Sequence, residues 1–247
     1  MTGRWWTCPA QCRVSPAWHQ LLDDHESRRC QRYLPLDKRH EFLVARAMVR
    51  TVLGQALGTP AASLRFQANE WGRPELSPSG SLRFSLTHTE GLVALLLSDE
   101  FEVGLDAEPL ARGPRVLALH SGVYASQELA EMAALTPAQQ GERAITLWTL
   151  KESYAKALGM GFALAFDALF FRLPASANTP VLLQEKTPAP HSSADWQFQT
   201  FHHGPHVISA SLAPVERAAP GLANASRSSR SFQSLLPMHW KPGDFGL

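Results

Sequence analysis

A helical pattern over residues 143–158 constrains the fold of this chain more than any other feature. Its apolar positions recur at helical spacing and form one stripe, which consists of Leu147, Leu150, Tyr154 and Leu158. Glu152 and Lys156 lie one turn apart on the opposite face, and Gly159 follows as a stop signal. The pattern therefore predicts a helix that packs one side into a core. On its other side this helix presents a carboxylate and an ammonium group, either as a surface ion pair or as part of a site.

Short strand patterns lie on both sides of this helix in the sequence. Those before it are at 84–87, 92–98 and 103–108, and those after it are at 168–173, 196–202 and 207–212. Helices and antiparallel-looking strands that alternate without a βαβ rhythm are typical of an α+β fold. The 247 residues suffice for one large domain or two small ones.

Charge and composition exclude several classes of protein. The 23 Lys and Arg residues nearly balance the 22 Asp and Glu residues, which excludes a polycation that binds nucleic acid through bulk charge. The longest apolar run, 92–97, is too short to cross a membrane. Three cysteines suit a reducing compartment better than a disulfide scaffold, and the N-terminus lacks the apolar stretch of a secretory signal. These features predict a cytoplasmic protein without a nucleic-acid or membrane partner.

Basic residues are concentrated between Glu26 and Arg50. Seven basic residues against three acidic ones give this segment a charge of +4 (7 − 3), so the rest of the chain sums to −3. The basic residues are Arg28, Arg29, Arg32, Lys38, Arg39, Arg46 and Arg50. The segment is either a solvated helix face or a site for a compact polyanion such as a phosphate ester.

An acidic pair follows in the strand pattern at 103–108. Asp106 and Glu108 are two positions apart, so both carboxylates face the same side of a strand. Such a pair is typical of an exposed strand end unless a cation lies between the charges. With Glu152 as a third carboxylate the set would offer only oxygen ligands, which suits Mg²⁺. His88, between Thr87 and Thr89, is either a structural residue or a donor to phosphate.

Taken together, these segments resemble the 4′-phosphopantetheinyl transferases of the surfactin-synthetase-activating type over residues 26–173. The motifs that carry the resemblance are Trp71-Gly-Arg-Pro74, Phe84-Ser-Leu-Thr-His-Thr89, Val103-Gly-Leu-Asp-Ala-Glu108 and Trp148-Thr-Leu-Lys-Glu-Ser-Tyr-Ala-Lys156. The last two are the most specific. Arg73 stands where the family has Lys, and Thr87 and Thr89 stand where it has Ser.

The resemblance implies a pseudo-dimer of two similar α+β halves with coenzyme A in the cleft between them. We expect an N-terminal half at 1–109, a C-terminal half at 110–214 and a mobile tail at 215–247. The implied reaction transfers the phosphopantetheine arm of coenzyme A to a serine of an acyl, peptidyl or aryl carrier protein and releases 3′,5′-ADP. A monomer is expected.

The resemblance also implies the site residues. It assigns Mg²⁺, with Mn²⁺ as a substitute, to Asp106, Glu108 and Glu152. It assigns catalysis to Asp106, Glu152 and Lys156. The residues that it implies for coenzyme A are Arg28, Arg29, Arg46, Arg73, Pro74, Thr87, His88 and Lys156. The proton of the serine would go to Glu152, directly or through a metal-bound water, or to Glu128.

Two other functions use the same residues. A Mg²⁺-dependent nucleotide pyrophosphatase would hydrolyse the substrate rather than transfer a group from it. A non-catalytic homologue would only bind carrier proteins, and the presence of the three carboxylates and Lys156 argues against it.

Overall fold

A computed structural model describes residues 4–10, 12–119, 122–173, 181–185, 195–215 and 238–240. The fold is α+β, as the sequence predicts. The helices within these ranges are α1 (Asp24–Arg32), α2 (Leu36–Leu57), α3 (Gly113–Leu117), α4 (Ser126–Ala133) and α5 (Pro137–Leu158). The strands are β1 (Arg4–Cys8), β2 (Phe66–Ala68), β3 (Pro74–Leu76), β4 (Arg83–Thr89), β5 (Leu92–Ser98), β6 (Phe101–Pro109), β7 (Leu169–Arg172), β8 (Leu182–Glu185), β9 (Gln197–His203), β10 (His206–Pro214) and β11 (Met238–His239).

The helix predicted over 143–158 is α5, and it begins six residues before the predicted start, at Pro137. Thr136 is the N-cap, and its hydroxyl accepts a hydrogen bond from the backbone N–H of Gln139. Pro137 occupies the first turn, where its missing N–H costs nothing. The helix ends at Gly159, whose φ of 71° is left-handed, as the glycine stop signal predicts.

Two sheets hold most of the strands, and their pairings are antiparallel except for the parallel pairing of β11 with β1. One sheet has the order β11-β1-β5-β4 and the other has the order β6-β10-β9. Two small two-stranded sheets, β2-β3 and β7-β8, lie outside them. α2 packs on the first sheet and α5 packs on β6 and β10 of the second.

Three apolar clusters fix these layers. The first lies between α2 and the four-stranded sheet, and the second surrounds the buried ring of Tyr154 on α5. The third fills the space between the two sheets and includes Leu96, Leu105 and Ile208. Tyr154, predicted to lie in the apolar stripe of α5, packs edge-on against Trp196 with ring centroids 4.7 Å apart. The outer face of α5 is thereby left for Glu152 and Lys156.

The end of the chain differs from the prediction of a mobile tail over 215–247. Met238 and His239 pair in parallel with β1, and Trp240 is buried against Trp18 with ring centroids 5.2 Å apart. The indole N–H of Trp240 also donates to Thr51 Oγ1 at 3.1 Å. The prediction is therefore wrong for 238–240, while 216–237 and 241–247 lie outside the described residues. The polar composition of the residues before 238 does not predict that the Trp240 indole is buried.

None of the helices in the described ranges is long and apolar enough to cross a lipid bilayer.

Candidate active site

A cavity of about 580 Å³ lies between the first sheet with its helices and the C-terminal part of α5. This volume is within the usual range for small-molecule sites. Its walls come from α1, α2, β2, the β2–β3 turn, β4 and α5. The predicted site residues that line it are Arg29, Arg46, Arg73, Pro74, His88, Glu152 and Lys156. The structure thus brings together residues that are up to 127 positions apart in the sequence (156 − 29).

Two of the residues predicted for coenzyme A lie elsewhere, and Asp106 and Glu108, predicted for the metal, also do not line the cavity. Arg28 is on the exposed side of α1 and does not line the cavity. Thr87 is buried, and its hydroxyl donates to Asp106 Oδ1 at 3.2 Å. The position of Thr87 therefore indicates that it orients a carboxylate rather than contacts a ligand in the cavity.

Arg46 is the most deeply buried of the cavity arginines. Its guanidinium lies over the Phe66 ring, 4.7 Å from the centroid, and forms an ion pair with Glu26. Burial lowers the pKa of Arg46, and the charge of Glu26 opposes that shift. Its Nε has no hydrogen-bond partner among the described residues. An unsatisfied cationic donor at a cavity wall favours an anionic ligand.

His88 reaches the cavity at the end of β4. Its Nδ1 lies 2.5 Å from Glu41 Oε1 of α2, and nearly half of the side chain is exposed. Glu41 therefore fixes the orientation of the ring through one nitrogen. The other nitrogen, Nε2, is the one that remains for a ligand.

A row of hydroxyl side chains joins β4 to β6. Ser85 Oγ accepts a hydrogen bond from the Leu105 N–H at 2.9 Å, and Thr89 Oγ1 donates to Glu108 Oε2 at 3.0 Å. Between them lies the bond from Thr87 to Asp106. These residues alternate along β4, so all three face β6. Asp106 and Glu108 are thus each held by one threonine.

Lys156 connects α5 to the same strand. Its ammonium group donates to Asp106 Oδ1 at 2.6 Å and to the Leu105 carbonyl at 3.1 Å. Its side chain is about one-third exposed, at 31%, and lines the cavity. Lys156 is therefore in reach of both the acidic pair and a ligand in the cavity.

The three carboxylates are close enough to repel one another. Burial and the charges of Asp106 and Glu108 raise the pKa of Glu152 to about 7, although Lys156 opposes the shift. Burial, followed by the charge of Asp106, also raises the pKa of Glu108. A divalent cation relieves repulsion of this kind.

The oxygen atoms of these three carboxylates decide whether the site can bind Mg²⁺. Asp106 Oδ2 is buried and has no hydrogen-bond partner among the described residues, which leaves an acceptor for a cation. However, no three His, Cys, Asp or Glu side chains in the described part of the chain converge into a ready-made metal site. Lys156 holds Asp106, and Arg112 holds Glu108 at 2.5 Å. The donor set fits a hard cation, and the side chains must turn toward it to bind.

The sequence model of the 4′-phosphopantetheinyl transferase superfamily matches residues 102–211, which run from β6 to β10 and include α5. The matched segment of this chain thus contains Asp106, Glu108, Glu152 and Lys156.

Individual relatives extend this similarity. The 4′-phosphopantetheinyl transferase Sfp of Bacillus subtilis is 23% identical over 165 residues, 67% of this chain and 72% of that protein. The 4′-phosphopantetheinyl transferase AcpT of Escherichia coli K12 is 35% identical over 122 residues, 49% of this chain and 59% of that protein. A relative from Synechocystis is 29% identical over 160 residues, and the match spans 65% of its length.

A solved structure is also similar. It is a holo-(acyl-carrier-protein) synthase from Bacillus anthracis in complex with CoA (3′,5′-ADP), which is 17% identical to this chain. The TM-score is 0.38, and the match covers 46% of this chain and 95% of that one.

Glu128, the alternative base, does not line the candidate site. It is fully buried beneath α5, where it accepts a hydrogen bond at 2.5 Å from Lys151 and others from the Ala125 and Phe171 N–H groups. A carboxylate so enclosed cannot reach a substrate in the cavity. The Lys and Glu neighbours of the family motif therefore separate: Lys151 faces the core and Glu152 faces the cavity.

The sequence motifs do not predict two hydrogen bonds at the wall of the cavity. Asn69 donates to the Gly159 carbonyl at 2.9 Å, and Arg73 donates to the Ala157 carbonyl at 2.9 Å. Arg73, predicted to bind phosphate, thus uses part of its guanidinium to hold the end of α5. An asparagine four residues before the Arg-Pro pair is typical of a turn, but nothing in the sequence shows that the turn meets a helix 90 positions later (159 − 69).

Proposed function

We propose that this protein transfers the 4′-phosphopantetheine group of coenzyme A to a serine of a carrier protein. One observation carries the proposal: the wall of the cation-lined cavity includes Glu152 and Lys156 of the segment matched by the transferase family. The likeness to Sfp and AcpT supports the same reaction class.

Coenzyme A suits the cavity because its charge is concentrated in phosphates. Arg46 offers a buried cation with an unsatisfied donor, and Arg29 and His88 lie on the same wall. Catalysis of phosphoryl transfer depends mainly on positioning and on neutralising charge. The arginines of α1 and α2 and Lys156 of α5 can therefore surround the pyrophosphate and the 3′-phosphate.

Asp106, Glu108 and Glu152 would hold the Mg²⁺ of this reaction. The ion supplies charge neutralisation for the pyrophosphate when it is bound. The raised pKa of Glu108 and the unpartnered Asp106 Oδ2 support this assignment. Thr87 and Thr89 would orient two of the three ligands.

The residues of the chain account for the proton movements. A bond forms between the serine oxygen and the phosphorus, and the bond from that phosphorus to the oxygen of 3′,5′-ADP breaks. Glu152, on the cavity wall, would accept the serine proton. Lys156, on the same face one turn later, would neutralise the phosphate that leaves with 3′,5′-ADP.

Incubation with coenzyme A, Mg²⁺ and an unmodified carrier protein tests this proposal. Mass spectrometry should show the carrier gaining one phosphopantetheine group, and Asp106→Ala and Glu152→Ala should abolish that gain. Glu131→Ala, which removes an exposed carboxylate of α4, is the matched control. Near-normal transfer by the Asp106 variant would refute the mechanism. Hydrolysis of coenzyme A without carrier modification would favour the pyrophosphatase, and binding of the carrier without either reaction would favour the non-catalytic homologue.

The finer expectations stay predictions. They are the boundary at residue 109, the likeness of the two halves, the monomeric state and the cytoplasmic location. A panel of acyl, peptidyl and aryl carrier proteins, compared by transfer rate, would identify the partner class.

A further inference from the structure

The β2–β3 turn caps the helix that carries Glu152 and Lys156. The last carbonyls of a helix have no partner within it, and α5 ends at Gly159 in a left-handed conformation. The Asn69 side-chain amide donates to the Gly159 carbonyl, and Arg73 Nη1 donates to the Ala157 carbonyl, each at 2.9 Å. Both donors come from a turn in the first third of the chain.

Asn69 also shapes the turn from which it acts. Its Oδ1 accepts hydrogen bonds from the N–H groups of Trp71 at 3.0 Å and of Arg73 at 2.8 Å. The Asn69 side chain lies close to the end of the helix. A Cβ atom added to Gly159 would lie only 2.9 Å from Asn69 Nδ2. One side chain therefore folds the turn and attaches it to α5.

This turn is a wall of the cavity. Trp71, Gly72, Arg73 and Pro74 line it together with Glu152 and Lys156 of α5. The strands on either side of the turn have three residues each and form a sheet of their own. Besides the two hydrogen bonds to α5, the turn is held by the contact of Arg73 with Glu102 of β6 at 3.4 Å, and its sheet is attached to the first apolar cluster through Leu76.

We propose that Asn69 is a positioning residue that locks the β2–β3 turn to the end of α5 and so fixes two opposing walls of the cavity. The inference rests on the proposed function, since it takes coenzyme A as the ligand. A preformed cavity binds more tightly because no ordering cost is incurred on binding. Asn69 would therefore set the affinity for coenzyme A without touching it.

The Asn69→Asp variant tests this role. Aspartate keeps the oxygen that shapes the turn, but it replaces the amide donor with a negative charge at the negative end of the helix. Glu70→Gln, at an exposed position in the same turn, is the matched control. We expect the Kd and KM for coenzyme A to rise about tenfold in the Asn69 variant, with less than a twofold change in kcat and in the KM for the carrier. The control should match the wild type.

A second variant and a second measurement separate positioning from a general loss of structure. Asn69→Ser removes the amide donor without adding charge, and it should raise the Kd for coenzyme A in the same direction. Amide hydrogen exchange of 71–73 and 155–160 should rise together in both variants while the core of α2 stays protected. An unchanged Kd with unchanged exchange would overturn the inference, as would a fall in kcat alone. If the wild type binds no coenzyme A, the proposed function fails, and the exchange rates still decide whether Asn69 joins the two walls.

Discussion

The buried ion pair between Lys151 and Glu128 offers the sharpest test of how α5 is held. Both side chains are completely shielded from solvent, and their charged atoms are 2.5 Å apart. The ammonium group also donates to the carbonyls of Val123, Phe166 and Leu169 at 2.8–2.9 Å. Replacing Lys151 with methionine preserves much of the volume and removes every one of these bonds.

The magnitude follows from what the substitution leaves behind. Glu128 would remain buried with only the Ala125 and Phe171 N–H groups as donors. Breaking a buried pair by removing one partner costs about 3–5 kcal/mol. Lys151→Met and Glu128→Gln should each reduce the free energy of unfolding by about that amount. The double variant should lose at least about 2 kcal/mol less than the sum of the two, because it leaves no unpaired charge.

Urea unfolding followed by tryptophan fluorescence measures these differences. With an m-value of about 3 kcal/mol/M, each single variant should unfold at a midpoint lower by about 1 M or more. At a temperature where Glu128→Gln is folded, its transfer rate per folded molecule should equal that of the wild type. A single-variant loss below about 1 kcal/mol, or strict additivity in the double variant, would refute the reasoning.

Three further substitutions test separate contacts. Thr87→Val should weaken Mg²⁺ binding about tenfold, because Asp106 loses the donor that orients it; unchanged affinity in a calorimetric titration would contradict this. Arg46→Met should raise the KM for coenzyme A about tenfold with little change in kcat, since it removes a buried cation from the cavity; a steady-state assay that shows the reverse pattern would count against the assignment. Trp240→Ala should lower the free energy of unfolding by about 3 kcal/mol, measured in urea, and a loss below about 0.5 kcal/mol would mean that this indole does not stabilise the first core.

Local periodicity predicts much of this structure. The apolar stripe of α5 and the three strand patterns from 84 to 108 all appear where the sequence places them. The same spacing puts Asp106 and Glu108 on one face of β6 and Glu152 and Lys156 on one face of α5. These features depend on neighbours within a turn or a strand, which a single sequence records.

Contacts between distant elements could not be predicted in this way. The resemblance implies that Thr87 contacts coenzyme A. In the structure, β4 packs against β6, and the Thr87 hydroxyl therefore points to Asp106. The resemblance offers Glu128 as an alternative base, and only the packing of α4 under α5 shows that Lys151 neutralises it. Asn69 carries the ordinary signal of a turn, and the helix that it caps lies far along the sequence.

The parallel pairing of β11 with β1 has a consequence for the order in which the chain assembles during synthesis. Trp6 pairs with Met238, which is 232 positions later (238 − 6). At about 5–20 residues per second, the ribosome needs roughly 12–46 s to make the intervening chain. Until then the outer edge of β1 has unpaired backbone groups that favour association with other strands. The sheet that begins the chain is therefore completed last, after α5 and its own sheet have emerged.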